Sequence, residues 1–208
     1  MKNVFIKTVL FVTLSFGLFT SCVEEDDFDI PEIKEAFLFE NFTSSKTGSG
    51  ATEVPIAIKD WGNFNVKGSR KWIGKTFDGN NFAEFSSFYT DAGVNDEVWL
   101  TSPAIDLSKT SSELLSFDTK ARFYKGAALK VLISENYDGT QAGLATATWT
   151  ELNPTLPTVQ TDNFLSSGNI DVSMYNSTNV RIAFKYVGSK ATVTTTFQID
   201  NIKIIENL

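Results

Sequence analysis

The chain has 208 residues, a formal charge of −7, a single cysteine and no histidine. The missing histidine excludes Ser-His-Asp and Cys-His catalysis and every His-ligated zinc or iron site. A carboxylate pair of glycosidase type, or hard-cation chemistry at Asp and Glu, is what remains open to an enzyme.

The chain opens with Lys2 and Lys7, followed by a weakly polar to apolar run from Thr8 to Thr20. A basic start, a short apolar core and small residues at its end read as a secretory signal. The run falls short of the roughly 20 apolar residues that a membrane-spanning helix needs. It stops at Cys22, directly after Ser21, and "LFTSC" resembles the lipobox of bacterial lipoproteins. The resemblance implies that the Cys22 sulfur carries a diacylglyceryl group and becomes the first residue of the mature chain. A secreted protein with one cysteine cannot close an internal disulfide, and lipidation removes an otherwise exposed thiol. Two or more acyl chains would give stable anchorage.

Residues 22–35 hold seven acids and one lysine, net −6. Such a run repels itself and is expected to act as a solvated tether. Acids directly after the cysteine also resemble the surface-export signal of Bacteroidota lipoproteins, which implies the outer face of the outer membrane. Residues 36–208 then carry about −3 with no basic stripe. Nucleic acid is therefore not an expected partner. The expected organisation is a signal peptide over residues 1–21, a tether over 22–35 and one domain over 36–208.

Period-two alternation dominates that domain. In chain order the expected strands are "AFLFENF", "FNVKG", "RKWIGKTF", "EVWLTSPAI", "LSFDTKARF", "ALKVLIS", "TWTEL", "VRIAFKY" and "TTTFQIDNIKII". Leu115, Phe117, Thr119, Ala121 and Phe123 share one expected buried face. So do Leu129, Val131 and Ile133, and again Val180, Ile182, Phe184 and Tyr186. "FAEFSSFY" reads as an irregular strand, although Phe82, Phe85 and Phe88 are spaced as on a helical turn. "FDGNN", "NYDG", "SSGN" and "VGSK" supply turn chemistry. Thr43–Asp60 and Asp138–Ala147 read as long loops, the kind that often carries function. Many strands with short turns predict an all-β fold, an antiparallel jelly-roll-like β-sandwich.

The order of "FLFENF", "WLTSPAIDLS", "LKVLISENYDG", "ATWTEL", "SSGNIDVSMY", "VRIAFKYVGS" and "FQIDNIKI" resembles the choice-of-anchor J domain, related to cleaved-adhesin and MAM sandwiches. The resemblance implies a surface-exposed sandwich used for adhesion or glycan binding rather than catalysis. It also implies a structural calcium at Glu40, Asn41, Asp200 and Asn201, with fewer charges than usual because Asn41 and Asn201 are amides. Independently, Phe197 and Ile199 share one face while Ile202 and Ile204 share the other. If both pairs enter the core, the strand must slip phase at Asp200–Asn201, as at a bulge. A slip there would aim a carboxylate and an amide oxygen together, which suits a hard cation; Asp200 capping a bent strand is the simpler alternative.

Sugar faces stack on aromatic rings, which makes Trp61, Trp72, Tyr124 and Tyr137 the candidate ligand-binding residues. Trp99 and Trp149, inside strand motifs, are expected in the core. Asp106, Asp138 and Asp171 are expected to initiate turns. The leading expectation is a noncatalytic lipid-anchored surface module that binds a glycan or a surface protein. A glycoside hydrolase would have to use loop acids such as Glu53, Asp60, Asp96 and Glu97. A purely structural subunit of a surface complex is the third reading. Replacing Cys22 by serine should abolish incorporation of radiolabelled palmitate; equal labelling of the variant would refute lipid anchorage.

Overall fold

In a computed structural model of the chain, residues 36–48 and 51–207 can be described. The expected signal peptide, acidic tether and Cys22 lie outside them. Among the described residues the twelve strands begin with β1 (Leu38–Glu40), β2 (Gly62–Lys67), β3 (Ile73–Phe77), β4 (Asn80–Phe85), β5 (Asn95–Thr101) and β6 (Glu113–Arg122). They continue with β7 (Leu129–Ser134), β8 (Thr150–Glu151), β9 (Leu165–Ser166), β10 (Ile170–Asp171), β11 (Arg181–Ser189) and β12 (Thr196–Glu206).

Two antiparallel sheets form the expected sandwich. The first runs β10-β6-β12-β4-β3, with β1 also paired to β12 and β9 to β6; the second runs β2-β5-β11-β7-β8. The alternation read from sequence lies between them. Leu115, Phe117 and Ala121 meet Val131, Ile133, Ile182, Phe184 and Tyr186 in one core, with Phe117 and Phe184 edge to face at 5.1 Å. The Tyr186 hydroxyl donates to the Thr195 carbonyl at 2.8 Å, which satisfies its polar end. Burial raises its pKa to about 12.

The last strand slips phase as its sequence requires. The β12–β6 register shifts between Asp200 and Lys203, and Asn201 adopts φ 48°. Phe197, Ile199, Ile202 and Ile204 are consequently all buried in the same core. Asparagine tolerates that left-handed backbone better than most residues.

Two expectations are corrected. Phe123 does not continue the buried row of β6: the strand ends at Arg122, Phe123 turns into φ 49°, and its ring is 66% exposed. "FAEFSSFY" divides into β4 and a 3-10 turn at Ser87–Tyr89, which leaves Phe85 in the core and Phe88 in solvent. The Asx turns, in contrast, stand as read. Asp106, Asp138 and Asp171 each accept from the amide and hydroxyl of the residue two positions on, namely Ser108, Thr140 and Ser173.

The outward face of the second sheet is largely closed. Trp99, Leu132, Tyr137, Leu144 and Ala183 form a second buried cluster there, joined by Phe64, Ala147 and Trp149. Trp149 packs on Trp99 at 5.2 Å and on Tyr137 at 5.0 Å. The expected loop 138–147 supplies Leu144 from a 3-10 turn, Ala142–Ala145. Its tightness depends on Gly143, where a β-carbon would lie 1.9 Å from the Asp138 carboxylate.

Candidate functional site

The outward face of the first sheet is covered in part, with Gln198 and Phe82 on it only 3% and 4% exposed, and a groove is left beside them. Gln198 lies between the core residues Phe197 and Ile199, so its side chain points away from the core. Its register partners are Glu84 on β4 and Lys120 on β6. Gln198 donates to the Glu84 carboxylate at 2.7 Å, and the Lys120 ammonium donates to the Asp162 carbonyl at 2.5 Å. These three side chains form a polar floor with donors and acceptors fixed across neighbouring strands.

On either side of this floor the chain rises into walls. The β3–β4 hairpin forms one. The segment 160–164 forms the other, where Phe164 reaches Phe82 edge to face at 5.5 Å. The groove between them encloses about 650 Å³. A second basin of about 390 Å³ adjoins it, and both are lined by Lys75 and Glu84, so the two form one trough. The second basin is built around Arg70, which donates to both Glu53 carboxylate oxygens and to the Ser86 carbonyl. The Arg70 guanidinium lies 5.3 Å from the Phe85 ring centre and 5.5 Å from that of Tyr89. Tyr89 is 69% exposed and packs edge to face on Phe88 at 5.0 Å. The trough therefore combines fixed polar groups with exposed rings.

The aromatic residues singled out from sequence are not in it. Trp72 is fully buried between Phe85 and Tyr186, and Tyr137 is fully buried in the second cluster; neither can offer a ring face to a ligand. Trp61 is half-buried against Phe42 at 6.1 Å, and Tyr124 is half-buried against the main core. Sequence reading missed the trough because its residues become neighbours only through the pairing of β3, β4, β12 and β6. The available signal was the polar half of each alternation: Lys75, Glu84, Lys120 and Gln198 all sit opposite apolar positions.

Of the candidate loop acids, Asp96 and Glu97 lie on β5, and these two and Glu53 are engaged by other side chains. Both Ser87 and Thr90 hydroxyls donate to buried Asp96 at 2.6 Å, while Glu97 is paired with Lys185 and Lys67. Glu53 is held by Arg70, and Asp60 is exposed on a left-handed turn.

Of the four residues expected at a cation site, two come together. Burial raises the Glu40 carboxyl, and the charge of Asp200 adds to the rise. Burial likewise raises Asp200, and Asp118 adds to that. Asp200 accepts from the Asn80 amide at 2.8 Å and from the Asn201 backbone at 2.7 Å. The amides turn elsewhere: Asn41 accepts from Thr43, and Asn201 donates to Asp118 at 2.9 Å. Asp118 and Asn80 were missed because their proximity follows from the β6–β12 pairing and the start of β4. Among the described residues no three acidic, histidine or cysteine side chains converge as a metal-ligand set.

Residues 76–207 match a family described as a domain of unknown function, DUF5017. The match covers more than half of the chain, and the chain belongs to this family. No curated protein matches the sequence. Among solved structures the chain is similar to the K1 cleaved adhesin domain of Lys-gingipain from Porphyromonas gingivalis W83, at 15% identity and a TM-score of 0.51, over 82% of this chain and 98% of that one. It is also similar to the K2 domain of Lys-gingipain, at 16% identity and 0.51, over 82% and 98%. A third similar structure is TmCBM61 in complex with β-1,4-galactotriose, at 12% identity and 0.50, over 84% and 100%. These likenesses show a shared sandwich fold.

The raised carboxylates have a sign. A carboxyl with a higher pKa in the folded than in the unfolded state favours folding most at low pH, and that contribution is lost as pH rises. In chelator-treated protein, Asp200→Asn should therefore gain melting temperature relative to wild type between pH of about 4 and about 7. A constant offset across that range would contradict the burial of a charged Asp200.

Proposed function

We propose that this chain is a noncatalytic surface module that binds a linear glycan in the trough across β3, β4, β12 and β6. The observation that carries this reading is the trough itself: a Glu84–Gln198–Lys120 floor, flanked by Phe77, Phe164 and Tyr89. Sugars present hydroxyls that need paired donors and acceptors, and apolar faces that need rings. The sandwich shared with cleaved adhesin domains and with a galactotriose-bound module supports the same reading. The resemblance to choice-of-anchor J domains agrees with it, and lipid at Cys22 would hold the module to the outer membrane surface.

A glycosidase needs two carboxylates on opposite sides of a bond, one of them carrying a proton. Glu53 and Glu84 both line the smaller basin, but Glu53 is committed to Arg70 and Glu84 to Gln198. Carboxylates held by fixed donors suit orientation of a ligand rather than proton transfer.

The test is an array of linear neutral and acidic oligosaccharides. Wild type should retain a subset, and Glu84→Ala and Lys120→Ala should each weaken retention about tenfold while Trp72→Phe leaves it intact. Retention of no oligosaccharide by wild type, or retention by both alanine variants equal to that of wild type, would overturn the reading.

We also propose calcium at Glu40 and Asp200, where a cation would relieve the repulsion between a half-buried and a buried carboxylate. Millimolar calcium should raise the melting temperature of wild type and leave that of Asp200→Asn unchanged. A calcium response identical in the two proteins would remove the proposal.

A further inference from the structure

Phe123 is placed against every local preference of its sequence. The alternation of β6 would bury it, yet it leaves the strand in a left-handed backbone, φ 49°, with its ring 66% exposed. A bulky residue seldom adopts that conformation, because its β-carbon crowds the following carbonyl. An exposed ring adds little to the core, so burial does not explain the strain. Strained backbone of this kind clusters at sites of function.

Two contacts hold Phe123 beside the trough, one through its backbone and one through its ring. The Phe123 amide donates to the Gln160 side-chain oxygen at 3.1 Å, and the Arg122 guanidinium lies 5.2 Å from the ring centre. Both Gln160 and Arg122 line the larger basin. The smaller basin ends in the same way, with Arg70 stacked on exposed Tyr89. An arginine over an aromatic ring holds it in place at modest cost and leaves its remaining surface in water. The smaller basin thus carries an exposed ring braced by a guanidinium, and the larger has one just beyond its lining residue Arg122.

Resting on the glycan reading above, we infer that Phe123 is a sugar-stacking platform that extends the trough beyond its rim. With Tyr89 it brackets the polar floor, so the preferred ligand is an extended chain rather than a terminal sugar. Four neighbouring strands span roughly 14 Å, the length of about three sugar rings, and the braced rings add a position at either end. Chains longer than the floor should therefore gain most from Phe123.

The test uses the full chain and calorimetric titration with linear β-1,4-linked oligosaccharides of galactose, glucose, xylose and mannose, roughly three to six units long by the span above. Asparagine accepts the left-handed backbone, so Phe123→Asn removes the ring without adding strain. Phe123→Asn should keep a melting temperature at or above that of wild type. It should bind the longest oligosaccharide about fivefold or more weakly, with a smaller loss for the shortest. Phe123→Trp should retain the affinity. Undiminished binding of long chains by Phe123→Asn would overturn the inference while leaving the trough as the site. A large drop in its melting temperature would mark the ring as structural and overturn the inference too. Wild type that binds none of these oligosaccharides would defeat both the inference and the glycan reading.

Discussion

The phase slip in the last strand is the constraint on which the remainder depends. A straight β12 would bury either Phe197 and Ile199 or Ile202 and Ile204, but not both pairs. With Asn201 in a left-handed conformation, both pairs enter one core, and β12 can pair with β4 along its first half, β1 along its second and β6 along both. The same slip determines what the outside looks like. It leaves Gln198 pointing away from the core between Glu84 and Lys120, and it sets Asp200 beside Glu40. Core, trough floor and carboxylate pair are three consequences of one extra residue.

The two sheets then differ in what they expose. The second sheet turns Trp99 outward, but Trp149, Tyr137 and Leu144 close over it, and Lys185 and Glu97 seal its margin. The first sheet turns out charged and amide side chains that bond to one another across strands. Exposed rings stand beside the trough at Phe77, Tyr89 and Phe123, and half-buried Phe164 covers Phe82. A ligand gains from such a surface only if it carries hydroxyls and apolar faces side by side. That match is why the trough, rather than the larger aromatic cluster, is read as the binding surface.

Much of the fold was legible in the sequence. The alternating rows of β6, β7 and β11, the Asx turns at Asp106, Asp138 and Asp171, and the slip at Asp200–Asn201 follow from local pattern alone. The site was less legible, for a physical reason. Trp61 and Trp72 stood out as isolated aromatics with polar neighbours, but Trp72 is drawn into the core, its backbone N–H and carbonyl both bonded to the buried side chain of Asn63. The residues of the trough are ordinary polar positions, 36 or more apart between β4 and β6 and further to β12, and only long-range pairing gathers them. Phe123 shows the limit most clearly: alternation predicts burial, and a single backbone angle reverses it.

The central claim is that the outward face of the first sheet is the recognition surface. It is tested most directly by following the backbone amides of the isotope-labelled protein by NMR during titration with an oligosaccharide it binds. The account predicts shifts concentrated at Lys75, Glu84, Lys120 and Gln198, spreading to Tyr89 and Phe123 as the chain lengthens. Shifts confined to Phe64, Lys185 and Trp149 on the other sheet, or to Trp61, would contradict it.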